Sequence, residues 1–156
     1  MLRALVVYFS RTGYTRKIAE DIAARCGADI EGIQDVRDRS GMWGYLRSAR
    51  EAIGKRLIDI RPPIRNPSDY NIVILGTPVW ASNICSPMRA YVTTHREEFR
   101  QVAFFCTQGG SGAKKVLDDM AELCKHRPVA SLALNDEEIK KGLHAEKLNQ
   151  FLRLLD

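Results

Sequence analysis

The chain has 156 residues, of which 45% are apolar, a composition that predicts one folded domain over residues 1–156 and excludes a disordered polymer. Its formal net charge is +5, and no apolar run approaches the roughly 20 residues needed to cross a bilayer. The four cysteines, Cys26, Cys85, Cys106 and Cys124, form no C-x-x-C pair, which argues against a zinc knuckle or a dithiol redox motif and leaves no metal expected. Cys26, Cys106 and Cys124 stand in apolar settings and read as small core residues; free thiols of this kind fit a reducing cytoplasm.

Residues 2–9, which include Ala4-Leu5-Val6-Val7-Tyr8-Phe9, read as a fully buried strand. The run is short, ends in Ser10-Arg11 and is followed by no small-residue cleavage site, so it reads as core rather than as a signal peptide. Thr15 through Cys26 carry Ile18, Ile22 and Cys26 at every fourth position with Ala19 and Ala23 beside them, the pattern of a helix, and Gly27 is placed to stop it. Asp29–Ile33 is a short second strand. Ser40 is placed to cap a helix holding Met42, Trp43, Tyr45, Leu46, Ala49 and Ile53, and Pro62-Pro63 ends whatever precedes.

The stretch of about 36–65 reads as a helical, basic insertion. It holds eight basic residues (Arg37, Arg39, Arg47, Arg50, Lys55, Arg56, Arg61, Arg65) against three acidic ones (Asp38, Glu51, Asp59), which accounts for the whole net excess. The plainer reading is a solvated helix face; the functional one is a docking patch for an acidic partner. No helix-turn-helix, RNA-recognition or zinc-finger pattern accompanies the charge, so nucleic acid is not an expected partner. Trp43 reads as packing for this segment. With Tyr45 it either covers the sheet edge or meets a second subunit, so both monomer and homodimer stay open.

Tyr70–Gly76 is a continuous apolar strand. Ser86-Pro87 opens a helix reaching Glu98, proline being well placed in a first helical turn. Gln101–Thr107 is a further buried strand, Ala113–Lys125 a helix with Val116, Leu117, Met120 and Leu123 on one face, and Val129–Leu134 a last strand. Residues 143–155 close the chain as a helix through Ala145, Leu148, Phe151, Leu152 and Leu155. Apolar strands alternating with amphipathic helices predict an α/β fold: an open, doubly wound, five-stranded parallel sheet with helices on both faces, binding its ligand at the carboxyl ends of the strands.

Three polar loops fall at that edge: Ser10-Arg11-Thr12-Gly13-Tyr14-Thr15, Thr77-Pro78-Val79-Trp80-Ala81-Ser82-Asn83 and Thr107-Gln108-Gly109-Gly110-Ser111-Gly112. The first joins a strand to a helix. Its three hydroxyls exceed what capping that helix needs, and with the loop N–H groups and Gly13 they suit a phosphate. Arg11 either adds charge there or points to solvent. Trp80 is a candidate to stack on a planar ligand, and the glycines after Gln108 let the backbone approach a ring edge.

With Ser10-x-Thr12-Gly13-x-Thr15, Thr77-Pro78-x-Trp80 and the glycine-rich loop, the chain resembles the flavodoxin family over nearly its whole length. The resemblance implies strand order 2-1-3-4-5 and a non-covalent FMN held by all three loops, with no side chain required as a nucleophile. The chain departs from the family in two places. Tyr14 stands where asparagine is frequent, and the 108–112 loop lacks a second aromatic. A flavin less covered on one face is more open to a small substrate. Two redox roles follow: a cytoplasmic electron carrier between protein partners, or an FMN-dependent NAD(P)H:quinone-type oxidoreductase serving a small acceptor. A third reading, of another class, is a flavodoxin-fold partner-binding module without flavin.

Competing motifs fail. Residues 109–115 lack the P-loop order, no G-x-G-x-x-G follows the first strand, and the strand ends lack the acidic cluster of a phosphate-accepting receiver domain. His95, His126 and His144 fall outside the strand-end loops and read as surface residues, so no triad is expected.

Overall fold

A computed structural model describes residues 3–36, 41–53 and 58–156, without the side chains of Met42, Trp43, Tyr45 and Ile53. The Ser40 cap and the packing read for Trp43 and Tyr45 therefore lie outside the described residues. The strands are β1 Ala4–Tyr8, β2 Asp29–Gly32, β3 Ile72–Trp80, β4 Asn83–Ile84, β5 Gln101–Gln108 and β6 Ser131–Asn135. The helices are α1 Tyr14–Cys26, α2 Gly41–Ile53, α3 Ser86–His95, α4 Ala113–Cys124, α5 Asp136–Lys140 and α6 Ala145–Leu154.

Five strands pair in parallel in the order β2-β1-β3-β5-β6, which is 2-1-3-4-5 when the parallel strands alone are counted. Side chains alternate across the sheet, and both faces are apolar because both are covered. Leu5, Val7, Val73, Leu75, Val102, Phe104 and Cys106 pack against Met88, Tyr91 and Val92 of α3, Val116 and Met120 of α4, and Ala52 of α2. On the other face Val6, Ile72, Ile74, Ala103, Phe105, Leu132 and Leu134 meet Ile18, Ala19 and Ile22 of α1, Ile139 of α5, and Leu148 and Phe151 of α6.

α2 connects the edge strand β2 to β3. It packs through buried Ser48, Glu51 and Ala52, and the Glu51 carboxylate accepts a hydrogen bond from Ser86 Oγ at 2.9 Å. Its Leu46, Arg47 and Arg50 are exposed. Beyond α2 the chain returns along the free edge of β2. Arg61 N–H donates to Gln34 O at 2.8 Å, and the Glu31 carboxylate accepts from the N–H groups of Ile64 and Arg65 at 3.1 and 2.7 Å. Pro62 and Pro63 in this segment offer no N–H to a further strand, so the edge is blunted.

Several features differ from the sequence expectation. β3 runs on to Trp80 rather than ending at Gly76, because the antiparallel β4 pairs with its tip (Val79 with Ile84, Trp80 with Asn83). The helix from Ser86 stops at His95 and gives way to a 3-10 turn over Arg96–Glu98. The short α5 was not foreseen. Cys26 is exposed rather than in the core; it borders a hollow beside Ala4 and Ile72. Cys106 and Cys124 are buried, and burial pushes both thiols up to about 12, which keeps them unreactive. His144 is buried rather than on the surface; it precedes α6 and turns toward α1, its Nε2 3.8 Å from the Asp21 carboxylate.

Gly76 is paired with Phe105, and a Cβ there would stand 2.0 Å from Cζ of that fully buried ring. Gly76→Ala should therefore cost about 1–3 kcal/mol through overpacking. Urea unfolding checks this. Phe105→Leu on the Gly76→Ala background should cost less than Phe105→Leu alone, since the two positions share one space.

Candidate functional site at the carboxyl edge of the sheet

The chain leaves β1 toward one side of the sheet and β3 toward the other, so these neighbouring strands diverge at their carboxyl ends. A cleft of about 370 Å³ opens there. Its walls are Arg11, Thr12 and Thr15 from the first loop, Pro78, Val79, Trp80, Ala81 and Ser82 from the second, and Thr107, Gln108, Gly109, Gly110 and Ser111 from the third. Asp136 completes it.

The other residues expected at the site stand behind this lining and shape it. Ser10 Oγ accepts the Gly13 N–H at 3.0 Å, closing the first loop. Gly13, at φ 105°, is the residue before α1, a conformation that favours glycine. Tyr14 packs against the core under α1. Thr77 is fully buried; its hydroxyl donates to Pro78 O at 2.8 Å and accepts the Cys85 N–H at 3.3 Å. Asn83 Nδ2 donates to Ala81 O at 2.8 Å. Gly112 precedes α4 at φ 106°, and a Cβ there would lie 2.9 Å from Ser82 Cα.

The floor of the cleft is a hydrogen bond between Thr15 Oγ1 and Thr107 Oγ1 at 2.7 Å, both side chains being buried. Two hydroxyls bring two protons, and their mutual bond uses one. The second has no acceptor among the described residues. No side chain caps α1, whose first-turn N–H groups carry the positive end of the helix dipole. Thr12 is exposed at the same mouth, and its hydroxyl makes no hydrogen bond with a described residue. A set of donors without acceptors at a helix start suits an anion.

Trp80 is more deeply seated than a tryptophan in a surface loop. It is 8% exposed and packs edge-to-face on Phe9, ring centroids 5.5 Å apart, while still bordering the cleft. The hairpin turn after it places two residues other than glycine in the left-handed region, Ala81 at φ 49° and Ser82 at φ 59°. This is the backbone hand that a two-residue hairpin loop requires. The turn is held from α4, where Lys115 Nζ donates to Ser82 O at 3.2 Å and Asn83 Oδ1 at 2.9 Å while pairing with Asp119 at 2.9 Å.

Asp136 is the lining residue that the sequence reading missed. Burial raises its carboxyl above the usual carboxylate range, and neighbouring Glu137 adds to the shift. A signal was present: it is the first acidic residue past the last strand, at the edge where ligands of such sheets bind. A larger hollow of about 650 Å³ lies at the opposite edge, among Ala4, Cys26, Ile72 and Leu155. It takes in the last residues of α1, where the helix dipole disfavours an anion.

Fold and cleft define an open, doubly wound α/β protein with a cleft at its switch point. The chain belongs to the flavodoxin family: the family model described as Flavodoxin matches residues 3–150. Solved structures agree on the fold. A flavoprotein from Lactobacillus acidophilus NCFM, in complex with FMN, is 20% identical with a TM-score of 0.74, over 90% of this chain and 98% of that one. A Bacteroides eggerthii DSM 20697 protein assigned as a flavoprotein is 24% identical with a TM-score of 0.71, over 93% and 98%. The two-electron reduced flavodoxin of Megasphaera elsdenii is 18% identical with a TM-score of 0.58, over 96% and 97%.

The left-handed turn yields a direct test. Ala81→Gly removes a Cβ from a conformation that disfavours one, and should raise stability by about 0.5–1 kcal/mol after the entropy that glycine loses on folding. Urea unfolding measures it.

Proposed function

We propose that the protein binds FMN in this cleft and passes electrons through it. The observation that carries this reading is the donor set without acceptors: the surplus Thr15–Thr107 proton, the Thr12 hydroxyl and the uncapped start of α1. A phosphate monoester presents oxygens that accept several such donors at once. The hairpin wall, with Pro78, Val79 and the open part of Trp80, and the Gly109–Ser111 backbone would hold the flat, uncharged part of the ligand. FMN, when bound, supplies the one- and two-electron chemistry. The protein's share is to fix the phosphate, flank the ring and set the polarity around it.

The carrier role is the leading form of this proposal. One observation favours the oxidoreductase: Gly109, Gly110 and Ser111 are exposed and bear no aromatic cover, which leaves that side of the cleft open to a small acceptor. Among the described residues no helix is long and apolar enough to cross a membrane. A redox partner protein or a small acceptor, met in the cytoplasm, completes the proposal.

Titration of the protein with FMN, followed by quenching of flavin fluorescence, tests it. Wild type should take up FMN, and Thr12→Ala, which removes an exposed hydroxyl that the fold does not use, should weaken uptake about tenfold. A protein that leaves FMN fluorescence untouched at saturating concentration is the partner-binding module instead. With FMN bound, anaerobic NADPH separates the two redox roles: no bleaching without a reductase is expected of the carrier, and direct bleaching marks the oxidoreductase.

A further inference from the structure

Asp136 is the acid of this cleft, and the start of α5 does not need it. Asn135 already caps the helix, accepting the Glu137 N–H at 2.9 Å, and the Glu138 carboxylate returns a bond to the Asn135 N–H at 3.3 Å. That reciprocal pair satisfies the helix start. The Asp136 side chain turns toward the third loop instead. Its Oδ2 lies 3.5 Å from where a Cβ on Gly109 would stand.

The carboxylate is half-buried and makes no hydrogen bond or ion pair with a described residue. A partly desolvated carboxylate without donors is costly, and the upward shift of its pKa reflects that cost. What it lacks is a donor. FMN carries a phosphate, neutral acceptors on its ring, and neutral donors. The phosphate is an anion that a carboxylate repels, and the donors at the start of α1 suit it instead. The imide N–H of the ring and the hydroxyls of the ribityl chain are uncharged donors.

We propose that Asp136 determines specificity for the uncharged part of the ligand, its carboxylate accepting a hydrogen bond from a flavin N–H or O–H. This rests on the FMN reading and adds a residue to it: beside the donors for the phosphate, the cleft presents an acceptor for the uncharged part. The sign of one substitution decides the matter. If Asp136 accepts a bond from the flavin, removing it weakens binding. If it merely adds negative charge to a site for an anion, removing it tightens binding.

The test titrates wild type, Asp136→Asn and Asp136→Ala with FMN, with N3-methyl-FMN and with lumiflavin, which lacks the ribityl phosphate. Asp136→Ala should bind FMN tenfold or more weakly, the loss expected for a hydrogen bond to a charged group. Asp136→Asn, which keeps one acceptor oxygen, should recover part of it. A purely structural role at the start of α5 would instead lower the thermal midpoint in step with affinity. If the donor is the ring N–H, wild type discriminates against N3-methyl-FMN and Asp136→Ala does not. If it is a ribityl hydroxyl, both proteins treat FMN and N3-methyl-FMN alike, and lumiflavin binding is unchanged by the substitution. FMN affinity that stays equal or rises in Asp136→Ala overturns the inference. Wild type that takes up no FMN overturns the functional reading and this one together, whereas wild-type uptake with an indifferent Asp136→Ala removes this one alone.

Discussion

The 2.7 Å hydrogen bond between Thr15 and Thr107 is the contact on which the site depends. It joins the first turn of α1 to the end of β5 across 92 positions of sequence, and it is buried. A buried hydroxyl pair of this kind is favourable only when fully aligned, so it holds the helix start and the strand end in one register. It also leaves one proton without an acceptor among the described residues at the floor of the cleft. On the FMN proposal, structural tie and ligand donor would be the same pair of atoms.

Around this tie the two other walls are set by different means. The hairpin carrying Trp80 is strained at Ala81 and Ser82, and Lys115 of α4 holds it from behind. Gly112, with no room for a Cβ against Ser82, lets the start of α4 come close to the turn. Two non-glycine residues held left-handed beside the cleft cost energy, and their surroundings must impose that geometry. The stiffness of this wall is thus supplied by α4 and not by the turn itself.

Much of the fold was legible because it is written in local patterns. Ile18 and Ile22 at helical spacing, Gly27 after the last turn, and the apolar runs at Leu5–Val7 and Ile72–Leu75 each point to one element, and the structure has each of them. Trp80 shows where such reading stops. Its polar neighbours suggested a surface loop, but strand pairing with β4 carries it into the core beside Phe9. Cys26 and His144 were misplaced for the same reason: local pattern does not say which neighbours cover a side chain.

The amino-acid sequence by itself determined the alternation of strands and helices, the hydroxyl-rich bend after β1 and the glycines within the third loop, since these follow from side-chain period and backbone freedom. The tertiary structure alone decided which of those residues face one another. Thr15 meets Thr107, Lys115 reaches Ser82, and Asp136 turns to Gly109, because parallel strands bring their carboxyl ends to one edge whatever the distance along the chain. Side-chain chemistry is a local property; which group lacks a partner is known only when every neighbour has been placed.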